Sequence, residues 1–344
     1  KGKWDFRMKK AWEIEEAGDD VIGSVQNIKS AHDGRIYIVD SKNHKIYIFS
    51  KEGRFVSSFG ERGEGPGEIK NFEMGEQLFV VDQSVIVVDR ARISYFSLDG
   101  TFKKSLLYST QMRPRTFFSE EVFISAPVST VGLRDKTAKI KWYHVIDRSE
   151  KIIAEFRPFK EAAATNQSGG RQVTVVAIFG GVTPIMIVKH RNGKVYYGMS
   201  NTYAINRLDL KSKKTLSFSI DGREPKEITP AVKKELAKGL GDVPRDMLER
   251  IMDGLPEKAS FFQDIEIDKN GLIYVFLSNP TGEPLQAVDI FSPEGKYLYS
   301  SQLRVEEGLS IQAVYLRDHL LVIAAEDEEG TVKVTKYSVQ LPVL

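Results

Sequence analysis

Short apolar runs separated by polar turns recur along this chain, and they predict a succession of β-strands. The clearest stretch holds two apolar runs, residues 36–40 and 45–49, between the turns Asp33-Gly34 and Glu52-Gly53. Ile36 and Ile38 alternate with Tyr37 and Val39, which suits a strand buried on both faces by neighbouring sheets. Asp-Gly pairs accept the positive φ angles of tight hairpins. The stretch therefore predicts four antiparallel strands joined by short connections.

Weaker copies of this unit return along the whole sequence and predict a repeat fold. A four-stranded unit cannot bury both of its faces alone, so the units must pack against each other. The last unit supplies only three strands, and residues 10–15 are a candidate for its fourth. We predict a single all-β domain, residues 1–344: a six-bladed β-propeller with four-stranded blades, closed by the N-terminal strand in the last blade. The predicted blades are residues 24–60, 71–108, 114–157, 184–220, 260–303 and 309–340.

A helical insert is predicted at residues 228–256, between the fourth and fifth blades. Thr229 can cap a helix that has Pro230 at its first position. Asp242 and Pro244 can start a second helix. The insert either packs on the rim of the disc or forms a lid over the central channel. The apolar stripes of the two helices are Val232, Leu236 and Leu240, then Met247, Leu248, Ile251, Met252 and Leu255.

Composition narrows the class of protein. The 344 residues are 41% hydrophobic and 28% charged, with a formal net charge of +2. Basic residues are not concentrated, so nucleic acid is not expected as a partner. The lack of cysteine excludes disulfides and thiolate metal sites. No apolar run has the length of a membrane span. Because the sequence starts at Lys1, we expect either a processed export signal or lipid anchor upstream, or an artificial start.

The first unit resembles the NHL repeat. The residues that carry this resemblance are Asp33-Gly34, 36–41 (Ile-Tyr-Ile-Val-Asp-Ser), Asn43-His44-Lys45-Ile46, Phe49, Gly53, Phe55, Phe59-Gly60, Gly63, Gly65 and Gly67-Glu68. The whole layout is also similar to bacterial six-bladed β-propeller proteins, many of them exported or lipid-anchored. That likeness lies in Ile228-Thr229-Pro230 and in residues 262–275, 289–291 and 295–298. It implies a bacterial, extracytoplasmic (periplasmic or cell-surface) binding propeller and does not identify a reaction.

The distribution of loop lengths predicts where a ligand would bind. Connections between the first and second strands of each blade, and between the third and fourth, lie on one face and are short. The other face, here called the long-loop face, collects residues 60–70, 127–140, 157–183, 221–260, 278–286 and 326–330. Binding residues concentrate in loops on a rigid scaffold. The candidate ligand-binding residues are Lys42, Asn43, His44, Arg62, Arg92, Arg171, Gln172, Asn201 and Tyr203.

Two of the loops on this face invite comparison with ligand-binding loops. Residues 168–172 are expected to form a flexible surface loop, which could present Arg171 to an anionic ligand. The glycine-rich residues 60–68 lack the Gly-Lys-Ser/Thr ending of a phosphate loop, so we interpret them as an inter-blade connection. The ligand or partner is an unknown protein, peptide or glycan.

Signals for catalysis and metal binding are sparse. The five histidines include no i, i+4 pair, and no Gly-x-Ser-x-Gly sequence occurs. Some NHL-type propellers are lyases that use a metal and axial histidines, but here only His44 matches. Asp40, Asp82 and Asp89 end strands near the long-loop face and are candidate acids, bases or calcium ligands. No cofactor or metal is predicted, and a structural calcium ion stays open. We favour non-catalytic binding over a propeller lyase or hydrolase, and over a structural module of an exported assembly.

Overall fold

The structure, a computed structural model, is built mostly from antiparallel strands, with two helices among the residues that it describes. Those residues are 2–70, 72, 78–89, 92–108, 113–127, 138–156, 163–168, 171–176, 181–238, 243–281 and 283–343.

The strands of the first half of the chain are β1 (Lys3–Trp4), β2 (Lys9–Ile14), β3 (Glu16–Ala17), β4 (Asp20–Val21), β5 (Val25–Ser30), β6 (Ile36–Asp40), β7 (Lys45–Phe49), β8 (Phe55–Phe59), β9 (Leu78–Val81), β10 (Ser84–Asp89), β11 (Arg92–Ser97), β12 (Phe102–Leu107), β13 (Arg113–Ser119), β14 (Val122–Ala126), β15 (Ala138–His144), β16 (Glu150–Phe156), β17 (Ala163–Ser168) and β18 (Arg171–Val176).

The second half holds β19 (Met186–Arg191), β20 (Lys194–Met199), β21 (Ala204–Asp209), β22 (Thr215–Ser219), α1 (Pro230–Lys238), α2 (Arg245–Asp253), β23 (Phe262–Ile267), β24 (Ile273–Leu277), β25 (Leu285–Phe291), β26 (Tyr297–Arg304), β27 (Ser310–Arg317), β28 (Leu320–Glu326) and β29 (Val332–Ser338).

Six sheets among the described residues contain four strands that pair side by side in antiparallel fashion, and these are the blades. Their orders are β5-β6-β7-β8, β9-β10-β11-β12, β13-β14-β15-β16, β19-β20-β21-β22, β23-β24-β25-β26 and β27-β28-β29-β2. Strand β1 adds a fifth position beside β26, and β3-β4 and β17-β18 are separate two-stranded sheets. The six predicted four-stranded blades are confirmed, and the fold is a six-bladed β-propeller.

Contacts between residues divide the chain into two compact units. Unit 1 is Lys1–Lys3, Pro127–Lys139 and Ala154–Gln302, and it holds the fourth and fifth blades with the helical insert. Unit 2 is Trp4–Ala126, Ile140–Ile153 and Leu303–Leu344, and it holds the first, second and sixth blades. Buried aliphatic and aromatic side chains fill the spaces between adjacent sheets within each unit.

The N-terminal strand completes the sixth blade, as the sequence predicted. Strand β2 pairs with β29 in a register that places Trp12 opposite Lys336, Glu13 opposite Thr335 and Ile14 opposite Val334. This pairing covers the backbone donors and acceptors of β29, which would otherwise be a sheet edge.

Trp12 also ties the sixth blade to the first. Its indole N–H donates to the carbonyl of Lys51 at 3.1 Å, and its ring lies over the turn that contains Gly53. Gly53 has a φ of +83°, and a Cβ there would lie 2.8 Å from the indole ring. Glycine is therefore needed both for the turn and for the approach of the ring.

A buried carboxylate fixes the turn between β6 and β7. Asp40 is fully buried. Its Oδ1 accepts from the backbone N–H groups of Ser24, Lys42 and Asn43 at 3.2, 2.9 and 3.0 Å. Its Oδ2 accepts from the Gly23 N–H at 2.7 Å and from the Asn43 amide at 3.1 Å. One side chain thus satisfies donors from both the turn and the segment before β5.

The helical insert has the predicted first cap and packs within unit 1. The Val232 N–H donates to the Thr229 hydroxyl at 3.3 Å, while α2 starts after Pro244 without a side-chain cap. Leu240 and Asp242, named in the prediction, lie outside the described residues. The apolar faces of the two helices, represented by Val232, Leu236 and Met252, pack against Val182, Ile228, Leu255 and Ala259, and Leu255, predicted in the second helix, follows its end.

Two local expectations were wrong. Residues 157–183 were predicted to be a long loop, but strands β17 and β18 form a hairpin there, with Ser168 opposite Arg171. Asp82 was predicted to lie at the same strand end as Asp40 and Asp89. It follows β9, the first strand of its blade, whereas Asp40 and Asp89 end second strands. Because consecutive strands are antiparallel, Asp82 lies at the opposite end of its sheet.

Replacing Trp12 with alanine should lower the free energy of unfolding by about 2 kcal/mol, because a half-buried aromatic ring and its hydrogen bond are lost. Gly53→Ala should also destabilise, and by less in the Trp12→Ala background than alone, because the contact between the new Cβ and the indole is then absent. Urea unfolding of both single variants and the double variant measures this coupling. Gly193→Ala is the control, since Gly193 has a φ of +70° and no heavy atom within 4 Å of an added Cβ. Equal costs of Gly53→Ala in both backgrounds would contradict the packing described.

Replacing Asp40 with alanine should cost about 3 kcal/mol or more, since several buried N–H groups lose their acceptor. Urea unfolding midpoints provide the measurement. Asp209→Ala is the matched control, because Asp209 accepts from the N–H groups of Lys211 and Ser212 in a similar turn but is half-buried. We expect the control to cost about 1 kcal/mol. A similar loss in both variants would show that Asp40 is an ordinary turn residue.

Candidate functional site

The β6–β7 turn carries three of the predicted binding residues, and Asp40 holds their backbone in place. Lys42 is exposed, whereas Asn43 and His44 are partly buried. The Asn43 side chain is used structurally, since it donates to the Val21 carbonyl at 2.7 Å as well as to Asp40. The exposed ammonium of Lys42 and the ring of His44 are therefore the groups that this turn offers to a ligand.

The turn is also tied to the β3–β4 hairpin. Asp20 accepts from the Lys45 ammonium at 2.6 Å and from the Tyr47 hydroxyl at 3.0 Å. These two hydrogen bonds hold the pKa of the Asp20 carboxyl below its ordinary value. They fix the first residue of β7, directly after His44.

The glycine-rich loop after β8 is closed by hydrogen bonds. The Ile69 N–H donates to the Glu61 carbonyl at 2.8 Å, and the Gly65 N–H donates to the Glu68 carboxylate at 2.7 Å. Arg92, another predicted binding residue, donates to the carbonyls of Glu64 and Glu68 at 2.9 and 2.7 Å. Arg92 therefore stabilises this loop from the start of β11.

Within unit 2, the structure brings His44 and Arg62 together. An Arg62 guanidinium nitrogen lies 3.4 Å from Nε2 of His44. Because arginine can only donate, this contact makes Nε2 the acceptor and leaves the proton of a neutral His44 on Nδ1. Nδ1 is buried and has no hydrogen-bond partner in the described part of the chain. The His44 ring lies against Phe72, with ring centroids 5.7 Å apart.

Among the residues that the structure describes, Lys42 and Arg62 have no acidic partner. Arg62 and Lys42 are both exposed, and neither forms an ion pair with any residue that the structure describes. Elsewhere in unit 2, exposed lysines such as Lys10 and Lys70 do pair with nearby glutamates. Lys42, His44 and Arg62, here called the basic cluster, thus combine an imidazole ring with two charges that have no acidic partner in the described part of the chain.

The remaining predicted residues lie in unit 1. Arg171 and Gln172 are the first two residues of β18. Asn201 is exposed in the turn between β20 and β21. Tyr203 is buried, and its hydroxyl donates to the Asp289 carboxylate at 2.7 Å. Arg223 also binds Asp289, with one guanidinium nitrogen contacting both carboxylate oxygens. Burial and the neighbouring carboxylate raise the pKa of Tyr203, so the phenol stays protonated.

At the short-turn end of unit 2, the structure shows a cavity that the sequence did not predict. It has a volume of about 280 Å³ and is lined by His32, Val80, Asp82, Gln83 and Arg317. These residues come from the connections or strand ends next to β5, β9 and β27, the first strands of three blades. His32 is one of the five histidines that were weighed above only as metal ligands. The sequence did contain a signal for this cavity, because the connections that follow the first strands all lie at the same end of their blades.

The three aspartates considered as calcium ligands differ in their surroundings. Every hydrogen bond of Asp40 comes from an N–H donor, so its oxygens are directed at protein groups. Asp89 accepts from the Lys70 N–H at 2.6 Å and lies 3.7 Å from the Arg92 guanidinium. Asp82 lines the cavity described above. The described residues contain no group of three or more His, Asp or Glu side chains placed to hold a metal ion.

Neither helix in the described residues combines the length and the apolar character needed to cross a membrane.

Comparisons with known proteins support the propeller fold. A family model described as a 6-bladed beta-propeller, DUF5128, matches residues 15–113, which contain the first two blades. Comparison with curated proteins gives no match. The chain is similar in structure to a DUF4221 family member from Bacteroides vulgatus, with 11% sequence identity, a TM-score of 0.55, and coverage of 98% of this chain and 99% of the other. It is also similar to a Bacteroides fragilis protein inferred to be exported, with 13% identity, a TM-score of 0.54, and coverage of 98% and 95%. These similarities show a shared fold.

Proposed function

We propose that this protein is a non-catalytic binding propeller that holds an anionic group of a partner protein, peptide or glycan at the long-loop end of its first blade. The observation that carries the proposal is the basic cluster, where exposed Arg62 contacts His44 and exposed Lys42 lies two residues before His44 in the same turn, both without an acidic partner among the described residues. An approaching carboxylate would provide that partner.

The geometry of the cluster suits a group that binds without reacting. Asp40 fixes the backbone before His44, and Arg92 fixes the loop that carries Arg62. The Asp40 hydrogen bonds and the hydrogen bond from Arg92 to the Glu68 carbonyl are partly buried, so the backbone that carries Lys42 and Arg62 is fixed before a ligand arrives. Such preorganisation lowers the entropy cost of binding. A guanidinium also recognises the planar geometry of a carboxylate through two parallel hydrogen bonds.

An extracytoplasmic location is part of the same proposal. It is supported by the likeness of the first blade to NHL repeats, by the similarity of the chain to bacterial exported propellers, and by the similar B. fragilis fold. A lipid anchor upstream of Lys1 would be compatible with this location.

Binding is tested with the purified chain and two fluorescent probes, an oligo-glutamate peptide and an oligogalacturonate glycan, by fluorescence anisotropy at low salt. At least one probe should bind, and Lys42→Glu combined with Arg62→Glu should weaken its affinity about tenfold, because two attractions become repulsions. Raising the salt concentration should weaken binding to the unaltered protein more than to the variant.

Lys211→Glu combined with Lys214→Glu is the charge-matched control, since both lysines are exposed in the β21–β22 turn of unit 1. An equal loss of affinity in the control would show that net charge, and not the basic cluster, attracts the probe. Absence of binding by both probes would contradict the proposed function. The probe that binds distinguishes a peptide partner from a glycan.

Location is tested by fractionating bacteria that express the full-length gene product with a C-terminal tag. The tagged protein should be found in the periplasmic or membrane-associated fraction and be accessible to protease after the outer membrane is opened. Recovery with cytoplasmic markers would contradict an extracytoplasmic location.

A further inference from the structure

We propose that ligand binding at the basic cluster is coupled to protonation of His44, so that an anionic group is held more tightly in mildly acidic than in neutral solution. This coupling rests on the proposed function, because it concerns the same site and needs a bound anion. It adds a regulation by pH whose structural origin is one nitrogen atom, for which Arg62 and a proton compete.

The contact with Arg62 decides where a second proton on His44 must bind. Arginine has N–H donors and no acceptor, so its contact of 3.4 Å with Nε2 uses the lone pair of that nitrogen. Nδ1 then carries the proton of the neutral ring, and it has no hydrogen-bond partner in the described part of the chain. An imidazolium bears a proton on both nitrogens. The second proton therefore binds at Nε2, where the guanidinium already lies.

In the free protein this arrangement opposes protonation of the imidazole. A proton on Nε2 would place an N–H group against the donors of Arg62 and add a positive charge beside an existing one. Phe72, which packs against the ring, is buried and apolar, so it supplies no compensating negative charge. Protonation of His44 therefore requires the guanidinium to leave the ring.

Other charges next to this turn are already compensated, with one exception. Asp40 is buried, and its two oxygens accept from N–H donors only. The Lys45 ammonium, on the residue after His44, pairs with Asp20 of the β3–β4 hairpin at 2.6 Å. Lys42 is the exception, since it has no acidic partner in the described part of the chain. Its positive charge adds to that of Arg62.

The acidic side chains of the glycine-rich loop do not neutralise Arg62. Glu64 pairs with Lys70, and the Glu68 carboxylate accepts from the Gly65 N–H at 2.7 Å. Glu61 is exposed and forms no ion pair with a residue that the structure describes. The imidazole is thus surrounded by positive charge until an anion binds.

An anionic ligand reverses this balance. A carboxylate binds a guanidinium through two parallel hydrogen bonds, which draws the donors of Arg62 away from Nε2. The negative charge of the ligand also favours a positive imidazole beside it. A proton from solvent then binds Nε2, which donates to the bound group. His44 becomes a third cationic contact only when the ligand is present.

The direction of the pH dependence follows from the uptake of this proton. The complex holds a proton that the free protein lacks, so affinity rises as the pH falls. Histidine ordinarily changes charge between about pH 5 and about pH 8. We expect a gain of about fivefold across this range, which is the most that a solvent-exposed pair of charges contributes. Carboxylates titrate at about pH 4, so the ligand stays charged.

The experiment measures the affinity of the full chain for the oligo-glutamate and oligogalacturonate probes at about pH 7.5 and about pH 5.5, at constant ionic strength. The unaltered protein should bind about fivefold more tightly at the lower pH. His44→Asn should show equal affinities, because asparagine keeps an acceptor for Arg62, tolerates the φ of +52° and does not titrate. His319→Asn is the control. It removes an exposed histidine of the β27–β28 turn and should keep the pH dependence.

Isothermal titration in two buffers of different ionisation enthalpy measures the proton uptake directly. The unaltered protein should take up part of a proton for each probe molecule bound, and His44→Asn should take up none. Arg62→Gln should bind more weakly and take up less than the unaltered protein, because its ring is protonated more readily before the probe arrives. Thermal unfolding at both pH values verifies that each variant is folded.

The outcomes separate the coupling from the proposed function. A probe that binds equally well at both pH values, without proton uptake, would overturn the coupling and leave the proposed function intact. A pH dependence that persists in His44→Asn would also overturn it, since another group would then bind the proton. If neither probe binds at either pH, the proposed function and the coupling are both wrong.

Discussion

The pairing of β2 with β29 is the interaction on which the organisation of unit 2 depends. It joins residues more than 300 positions apart, such as Trp12 and Lys336, and so brings the two ends of the chain into one blade. Without β2, strand β29 would expose a row of backbone donors and acceptors. The same strand positions Trp12 over the Gly53 turn of the first blade. The six residues of β2 thus complete the sheet of the sixth blade and also pack against the first blade. Val334 of the sixth blade lies in the same buried cluster as Ile36 and Ile38 of the first.

Buried polar groups control the ends of the strands, where apolar packing stops. Asp40 is the clearest example, because its carboxylate replaces the backbone acceptors that a regular strand would have provided. Arg92 has the reverse role, since its guanidinium supplies donors to the carbonyls of the glycine-rich loop. Asp289, which lies within β25 of unit 1, is an acceptor like Asp40, since it accepts from Tyr203 and pairs with Arg223. Each of these groups is expensive to bury alone and is stable here because its partners are fixed by neighbouring strands.

The strands could be predicted because their signal is local, whereas the partners of polar side chains could not. Ile36–Asp40 and Lys45–Phe49 show their alternation within five residues, and the missing strand of the sixth blade pointed to residues 10–15. By contrast, β17 reads Ala-Ala-Thr-Asn-Gln-Ser, which has no apolar alternation, so the hairpin was missed. Asp82 was misplaced because an aspartate after a first strand resembles one after a second strand. The burial of Tyr203 depends on Asp289, 86 residues later, and the cavity depends on three blades meeting. Sequence patterns contain neither relation.

The buried hydrogen bonds also determine what the exposed charges can do. Lys42 and Arg62 are both exposed, so each would contribute at most about 1 kcal/mol to an ion pair with a ligand. Selective binding then requires several such groups at fixed separations, since the cost of ordering flexible side chains would otherwise cancel the gain. Arg62 is carried by the loop that Arg92 binds. In the proposed function, Asp40 and Arg92 would therefore support recognition without contacting the ligand, because they fix the backbone that carries the individually weak charges.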